Sequence, residues 1–254
     1  MPTALITGAT AGIGAAFAGR LAADGFDLVL VARDVPRLTQ LAADLTNKHG
    51  VAVELTGADL ATEDGVAAVE KRLTQGVDLL INNAGFGHPG RFLQVPVVDE
   101  VTMLRLHCEA VLRLTSAALP AMIERKRGGV INVASVAAFV SRGTYGASKA
   151  WVVSFSEGIA QDIGRSGVTV MALCPGWVHT EFHERSQMDM SSVPDFMWFE
   201  ADELVDLALK DFRKGIAVSI PGARYKAIVG VTKLIPRRLS ARISSRTGRT
   251  YREE

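Results

Sequence analysis

Runs of consecutive apolar residues alternate along this chain with longer stretches whose apolar positions recur at the spacing of a helix face. The runs "TALIT" (3–7), "DLVLVA" (27–32), "VAVEL" (51–55), "VDLLIN" (77–82), "GVINVA" (129–134), "VTVMALC" (168–174) and "IAVSI" (216–220) predict strands. Helices are predicted between them, near 12–24, 36–48, 62–75, 97–125, 144–165 and 201–214. The strands are apolar on both faces, as they must be in a parallel sheet covered on both sides by crossover helices. The stretch 176–200, with "PGWVHTEF" and "SSVPDFMWF", breaks the alternation just after a strand, where a substrate-covering loop belongs.

This pattern predicts a single α/β domain over 1–222, a doubly wound Rossmann-type parallel sheet with ligands at the carboxyl ends of its strands. With 254 residues and 48% hydrophobic content the chain can bury a core of that size. A net charge of +1 gives no reason to expect a nucleic-acid partner. Charge is unevenly spread, however: residues 223–254 carry 9 Lys/Arg and 2 Asp/Glu, and form a basic C-terminal extension. That extension reads as a solvated or partner-facing helix, with peripheral contact to a membrane surface as the alternative. Cys108 and Cys174 form no CxxC pair, no leader-like segment opens the chain, and no run of 18 apolar residues occurs. A cytoplasmic setting is the expectation.

"TGATAGIG" (7–14) follows the first strand and opens a helix. Gly8 permits a tight turn, Gly12 lets the backbone approach a pyrophosphate, and Gly14 allows close helix–strand packing. The spacing differs from the ordinary dinucleotide fingerprint and resembles the TGxxxGxG of the short-chain dehydrogenase/reductase family. The resemblance covers about residues 3–222 and implies nucleotide contacts from Thr10 and Ile13 of the same turn. In "VLVARD", Ala32 stands where an NAD-preferring site carries an acid, and Arg33 follows it. A guanidinium there suits a ribose 2′-phosphate, so NADP(H) is expected over NAD(H), against the plainer reading of Arg33 as a surface arginine beside Asp34. By the same resemblance Asp59 and Leu60 of "ADL" border the adenine. "NNAG" (Asn82, Asn83, Ala84, Gly85) leaves room for the cofactor and ties strand ends together. "CPGWVHTEF" resembles the family's nicotinamide-binding segment, which implies a turn set by Pro175 and Gly176 and carboxamide contacts from Val178 and Thr180.

"TYGASKAW" (144–151) puts Tyr145 and Lys149 one helical turn apart on one face. A free phenol has a pKa of about 10, and a nearby ammonium favours the phenolate. At about 4 Å and an effective dielectric near 20 the attraction is roughly 4 kcal/mol, which brings the phenol toward the range of a general acid or base. Ser135, ending the fifth strand in "NVAS", can donate to a substrate carbonyl as charge develops on its oxygen. The resemblance implies a catalytic set of Ser135, Tyr145 and Lys149, with Lys149 also holding the nicotinamide ribose. Ser135 and Tyr145 are ten positions apart, a few fewer than the family pattern implies.

His107 stands where that pattern carries an asparagine of the proton relay. It preserves the relay through its carbonyl or ring, transfers protons itself near neutral pH, or is a satisfied interior histidine. His88, His179 and His183 lie in loops near strand ends, within reach of a substrate or simply solvated, and no HExxH pattern suggests a metal.

The expected activity is an NADP(H)-dependent hydride transfer between nicotinamide and a carbonyl or secondary alcohol. The rival is an NADP(H)-binding sensor or scaffold without turnover. A serine hydrolase is disfavoured, since "GASKA" lacks the final glycine of a nucleophile elbow. Phe182, Met188, Phe196, Met197, Trp198 and Phe199 suggest an apolar ligand, such as a 3-oxoacyl group or a steroid, or else a packed lid or subunit interface. The resemblance also implies a homodimer or homotetramer built partly on 97–125 and 144–165.

Overall fold

The computed structural model describes residues 1–90, 92–140, 143–186, 190–191 and 193–234. Its centre is a parallel sheet of β1 (Thr3–Thr7), β2 (Asp27–Ala32), β3 (Val53–Gly57), β4 (Leu79–Asn82), β5 (Gly128–Val133), β6 (Val168–Leu173) and β9 (Val218–Ser219), in the order β3-β2-β1-β4-β5-β6-β9. The order reverses between β1 and β4, so a crevice opens there at the carboxyl ends.

Both faces of the sheet are covered. Helices α1 (Gly12–Ala23), α2 (Val35–His49) and α8 (Ala201–Arg213) bury Phe17, Leu38, Val205 and Leu209 against one face. Helices α3 (Glu63–Leu73), α5 (Ala110–Glu124) and α6 (Gly143–Asp162) bury Val69, Leu73, Leu114 and Met122 against the other, with Ile159 packed on that cluster.

The structure differs from the sequence pattern in three places that bear on function. The helix expected over 97–125 is α4 (Val97–Leu104) and α5, joined by a π-helical turn over Arg105–Glu109. Ala110 N–H bonds Arg105 O there, five residues back, and the widened turn carries the fully buried His107. The loop expected over 176–200 contains structure: β7 (Trp177–Val178) pairs in parallel with β8 (Trp198–Phe199), and α7 (Glu181–Arg185) lies between them. Finally, the basic extension begins as helix α9 (Ala223–Leu234), whose Tyr225 and Val229 are buried in the body of the protein. Residues 235–254, Met188 and the "SR" at 141–142 lie outside the described residues.

Candidate active site

A single cavity of about 1120 Å³ runs along the carboxyl ends of the strands. At one end is the β1–α1 turn. Gly8 and Gly12 have φ of 65° and 53°, a region that favours glycine, and a Cβ on Gly12 would lie 2.8 Å from Thr180 Cγ2. Helix α1 starts at Ala11 with no side-chain cap and no acid in its first turn, and Thr10, Gly12 and Ile13 line the cavity. Backbone N–H groups at an uncapped helix start, with only glycine hydrogens in the way, make a cradle for an anion. Gly14 does not line the cavity. It packs beneath the turn, where a Cβ would sit 2.2 Å from Gly8 O.

Thr7, to which the sequence reading assigned no role, anchors the next wall. Its Oγ1 accepts the N–H groups of Asn83 and Ala84, both at 2.9 Å, and Asn83 Nδ2 donates to Thr7 O at 2.9 Å. Asn83, Ala84 and Gly85 then line the cavity. Asn82 does not: it is buried in the sheet, with Nδ2 donating to Asn132 Oδ1 at 2.9 Å and to Thr115 Oγ1 at 3.2 Å. Of the two readings of the asparagines, Asn82 takes the strand-tying one.

Arg33, Asp59 and Leu60, from the segments that follow β2 and β3, also line the cavity. The Arg33 guanidinium is largely exposed and 3.9 Å from Asp59 Oδ2, and Ala32 beside it offers no carboxylate. Asp34, the acid next in sequence, caps α2 by accepting Arg37 N–H at 3.0 Å. The carboxylate is therefore spent on the helix start. Arg37, unnoticed in the sequence, forms a two-pronged pair with Glu181 at 2.7 and 3.1 Å, joining α2 to α7 across the cavity rim.

At the opposite end the cavity is lined by Ser135, Tyr145, Lys149 and His107, with Pro175, Gly176, Val178 and Thr180 alongside. Ser135 Oγ accepts Ala137 N–H at 3.1 Å, which leaves its own hydrogen to donate. The Tyr145 ring lies between His107, edge-on at 5.7 Å between centroids, and Phe182 at 5.9 Å. Lys149 is buried, donates from Nζ to Val133 O at 2.9 Å, and sits 5.9 Å from the centre of the Tyr145 ring. Burial lowers its pKa to about 8, partly opposed by the Cys108 and Cys174 thiols.

His107 is held at both ring nitrogens. Nε2 accepts Phe86 N–H at 3.2 Å, and Nδ1 lies 3.0 Å from Ser148 Oγ, which itself donates to Tyr145 O at 2.8 Å. Because the serine hydrogen is used, the proton is on Nδ1 and the ring is neutral. Burial first, then the charges of Lys149 and His88, hold its pKa well below the ordinary value. This geometry is that of the satisfied interior histidine. Nothing in the sequence pointed to Ser148 as its partner.

The remaining histidines divide. His88 and His183 line the cavity, whereas His179 stacks on Trp198 at 4.5 Å and does not. Of the apolar candidates, Phe182 and Met197 line the cavity. Phe199 is buried beneath α9, Trp198 belongs to the stack, and Phe196 is 67% exposed. Among the described residues no cluster of His, Cys, Asp and Glu could hold a metal, and no helix is long and apolar enough to cross a membrane.

A glycine-lined turn, a switch point between β1 and β4, and a Ser/Tyr/Lys set share one cavity in a doubly wound fold of nucleotide-binding type. The family model for short chain dehydrogenases matches residues 2–191, and the chain belongs to that family. It is 38% identical over 180 residues to a very-long-chain 3-oxoacyl-CoA reductase of Pyrenophora tritici-repentis (strain Pt-1C-BFP), covering 67% of this chain and 53% of that protein. The chain thus spans about half the length of that relative. It is also 38% identical over 185 residues to a serine 3-dehydrogenase of Rhizobium radiobacter, covering 71% and 73%. Among solved structures, a short-chain dehydrogenase from Sphingobium yanoikuyae in complex with NADPH is similar with a TM-score of 0.84 and 40% identity, covering 92% of this chain and 94% of that one. The bulky-bulky ketone specific alcohol dehydrogenase from Comamonas testosteroni is similar with a TM-score of 0.79 and 32% identity, covering 93% and 96%.

Proposed function

We propose that the protein is an NADP(H)-dependent carbonyl reductase, or the reverse alcohol dehydrogenase. The observation that carries this reading is the single cavity lined by the bare β1–α1 turn at one end and by Ser135, Tyr145 and Lys149 at the other. The residues of this cavity would hold NADP(H), which would supply or accept the hydride when bound. The uncapped start of α1 would hold its pyrophosphate, Asp59 and Leu60 would border the adenine, and Arg33 would take the 2′-phosphate. The NADPH and ketone named for the two similar structures support the choice.

In the reducing direction Ser135 Oγ–H donates to the substrate oxygen as negative charge grows on it. Tyr145 delivers the proton that the oxygen takes up. Lys149, protonated at neutral pH and held on Val133 O, favours the phenolate that remains and would also hold the nicotinamide ribose. Its 5.9 Å separation from the ring centre makes this help smaller than a 4 Å contact would. His107 acts as a positioning residue, because its two nitrogens are already engaged.

The exposed apolar residues Val97, Val98, Val101, Leu104 and Leu112 on α4 and α5 support a homodimer or homotetramer. Two cysteines in 254 residues, with no CxxC or framework spacing, support a cytoplasmic setting. NADPH consumption over a panel of ketones, aldehydes and 3-oxoacyl thioesters tests the activity. Turnover lost in Tyr145→Phe while NADPH binding persists is the expected result. Tight NADPH binding with no turnover on any carbonyl would instead favour the sensor.

A further inference from the structure

His88 lines the cavity from the loop between β4 and α4, and the hydride transfer gives it no task. Its place relative to the reacting groups follows from the rings around it. The Phe86 ring lies 5.0 Å from the His88 ring, edge-on, and 6.0 Å from that of His107, which flanks Tyr145 at 5.7 Å. On the other side of Tyr145, Phe182 returns to the same loop: a Cβ on Gly87, the residue before His88, would lie 3.3 Å from Phe182 Cζ. His88 thereby belongs to the circle of side chains around Tyr145, linked to it through His107 and Phe86 on one side and through Phe182 and Gly87 on the other.

Its two ring nitrogens have different surroundings. Nε2 lies 3.0 Å from the carbonyl oxygen of Asp99, in the first turn of α4. A carbonyl can only accept, so Nε2 carries a hydrogen and the neutral ring keeps a bare acceptor at Nδ1. No donor among the described residues reaches Nδ1, and the atom is not sealed from solvent. The bond to Asp99 fixes the tautomer, as a preorganised binding group requires. Ser135 and Tyr145 offer hydrogens to a substrate oxygen, and both nitrogens of His107 are engaged. His88 therefore adds what those three residues lack, an open acceptor, set between the apolar Phe86 and Phe182. Against such walls a substrate O–H loses its water and gains only if it meets an acceptor.

We propose that His88 is a specificity-determining residue whose Nδ1 accepts a hydrogen bond from a substrate hydroxyl a few carbons from the reacting carbonyl. Hydroxyketones are then favoured over ketones that carry a methyl in the same place. The inference rests on the reductase reading for the position of that carbonyl, beside Ser135 and Tyr145.

The test compares kcat/KM with NADPH within pairs that exchange one hydroxyl for one methyl: 1-hydroxy-2-propanone against 2-butanone, 4-hydroxy-2-butanone against 2-pentanone, and 5-hydroxy-2-pentanone against 2-hexanone. In at least one pair the wild type should favour the hydroxyl by about fivefold or more, the worth of one neutral hydrogen bond. His88→Leu should abolish that preference. His88→Asn, whose Oδ1 can stand near the place of Nδ1, should keep part of it, and His88→Ala reads the same ratio should the leucine variant not fold. If His88 only braced the loop through Asp99, its loss would slow both members of a pair alike. Equal values within every pair in the wild type, or a preference unchanged in His88→Leu or His88→Ala, overturns the proposal. If no ketone is turned over, the reductase reading fails separately. Affinities within each pair, followed by tryptophan fluorescence, then decide the role of His88 by the same ratio and the same variants.

Discussion

His107 Nδ1 and Ser148 Oγ lie 3.0 Å apart, and through this contact a buried imidazole is tied to the backbone of the tyrosine that faces the cavity. Phe86 N–H, His107, Ser148 and the Tyr145 carbonyl form a chain in which every donor has one acceptor. Adding a proton to the ring would turn Nε2 toward the Phe86 N–H as a second donor. The site is therefore built around a neutral histidine.

Acid should strain this arrangement. In the unfolded chain His107 binds a proton near its ordinary 6.5, while in the folded protein it does so only well below that value. Between the two, the unfolded state holds more protons, so stability falls as pH drops, by up to about 1.4 kcal/mol per pH unit. His107→Asn should be less stable than wild type at pH 7, with the gap shrinking below pH 6.5. Chemical denaturation at several pH values measures it. An unchanged gap would mean that the histidine charges freely in place.

Lys149 should leave a signature of the same sign at alkaline pH. Its folded pKa is about 8 against an ordinary 10.5. Between these values the unfolded chain binds more protons, so stability contributed by this group rises with pH and is lost again as pH falls toward 8. Lys149→Met should remove that rise from the thermal unfolding profile between pH 8 and 10.5 and abolish turnover.

Arg33 should set the choice of nucleotide. Its guanidinium is largely exposed, with the Asp59 carboxylate 3.9 Å away, and Asp34 is occupied as a helix cap. Arg33→Ala should lower the NADPH/NADH affinity ratio by about 10- to 100-fold, the worth of a charge-assisted hydrogen bond. Fluorescence titration of the two nucleotides reads the ratio directly.

Gly14 should be intolerant for a packing reason. Gly14→Ala places a methyl 2.2 Å from Gly8 O and 2.6 Å from Asn83 Nδ2. Backbone on one side and an anchored amide on the other cannot both yield, so a loss of about 1–3 kcal/mol, or failure to fold, is expected. By contrast Gly19→Ala, in the same helix with nothing within 4 Å of the added methyl, should be neutral or stabilising.

Local pattern was enough for the sheet, its covering helices and both ends of the cavity. Apolar runs of strand length, the glycines at 8, 12 and 14, and the Tyr145–Lys149 spacing are short-range signals, each readable within about ten residues. What remained hidden depends on partners distant in sequence. The π-helical turn at His107 looks like ordinary helix until Phe86 and Ser148 engage the ring. Arg37 finds Glu181 across 144 residues, and Tyr225 finds Gly176 only because β7, β8 and α9 converge there. Charge alone made the extension look solvated, since composition does not say which face of a helix is apolar or what it meets. Chain-local chemistry thus determined the fold and the candidate Ser135, Tyr145 and Lys149 set, whereas only the tertiary structure decided which histidine nitrogen holds a proton, which acid is spent on a cap and what closes the cavity, because those outcomes belong to contacts between segments.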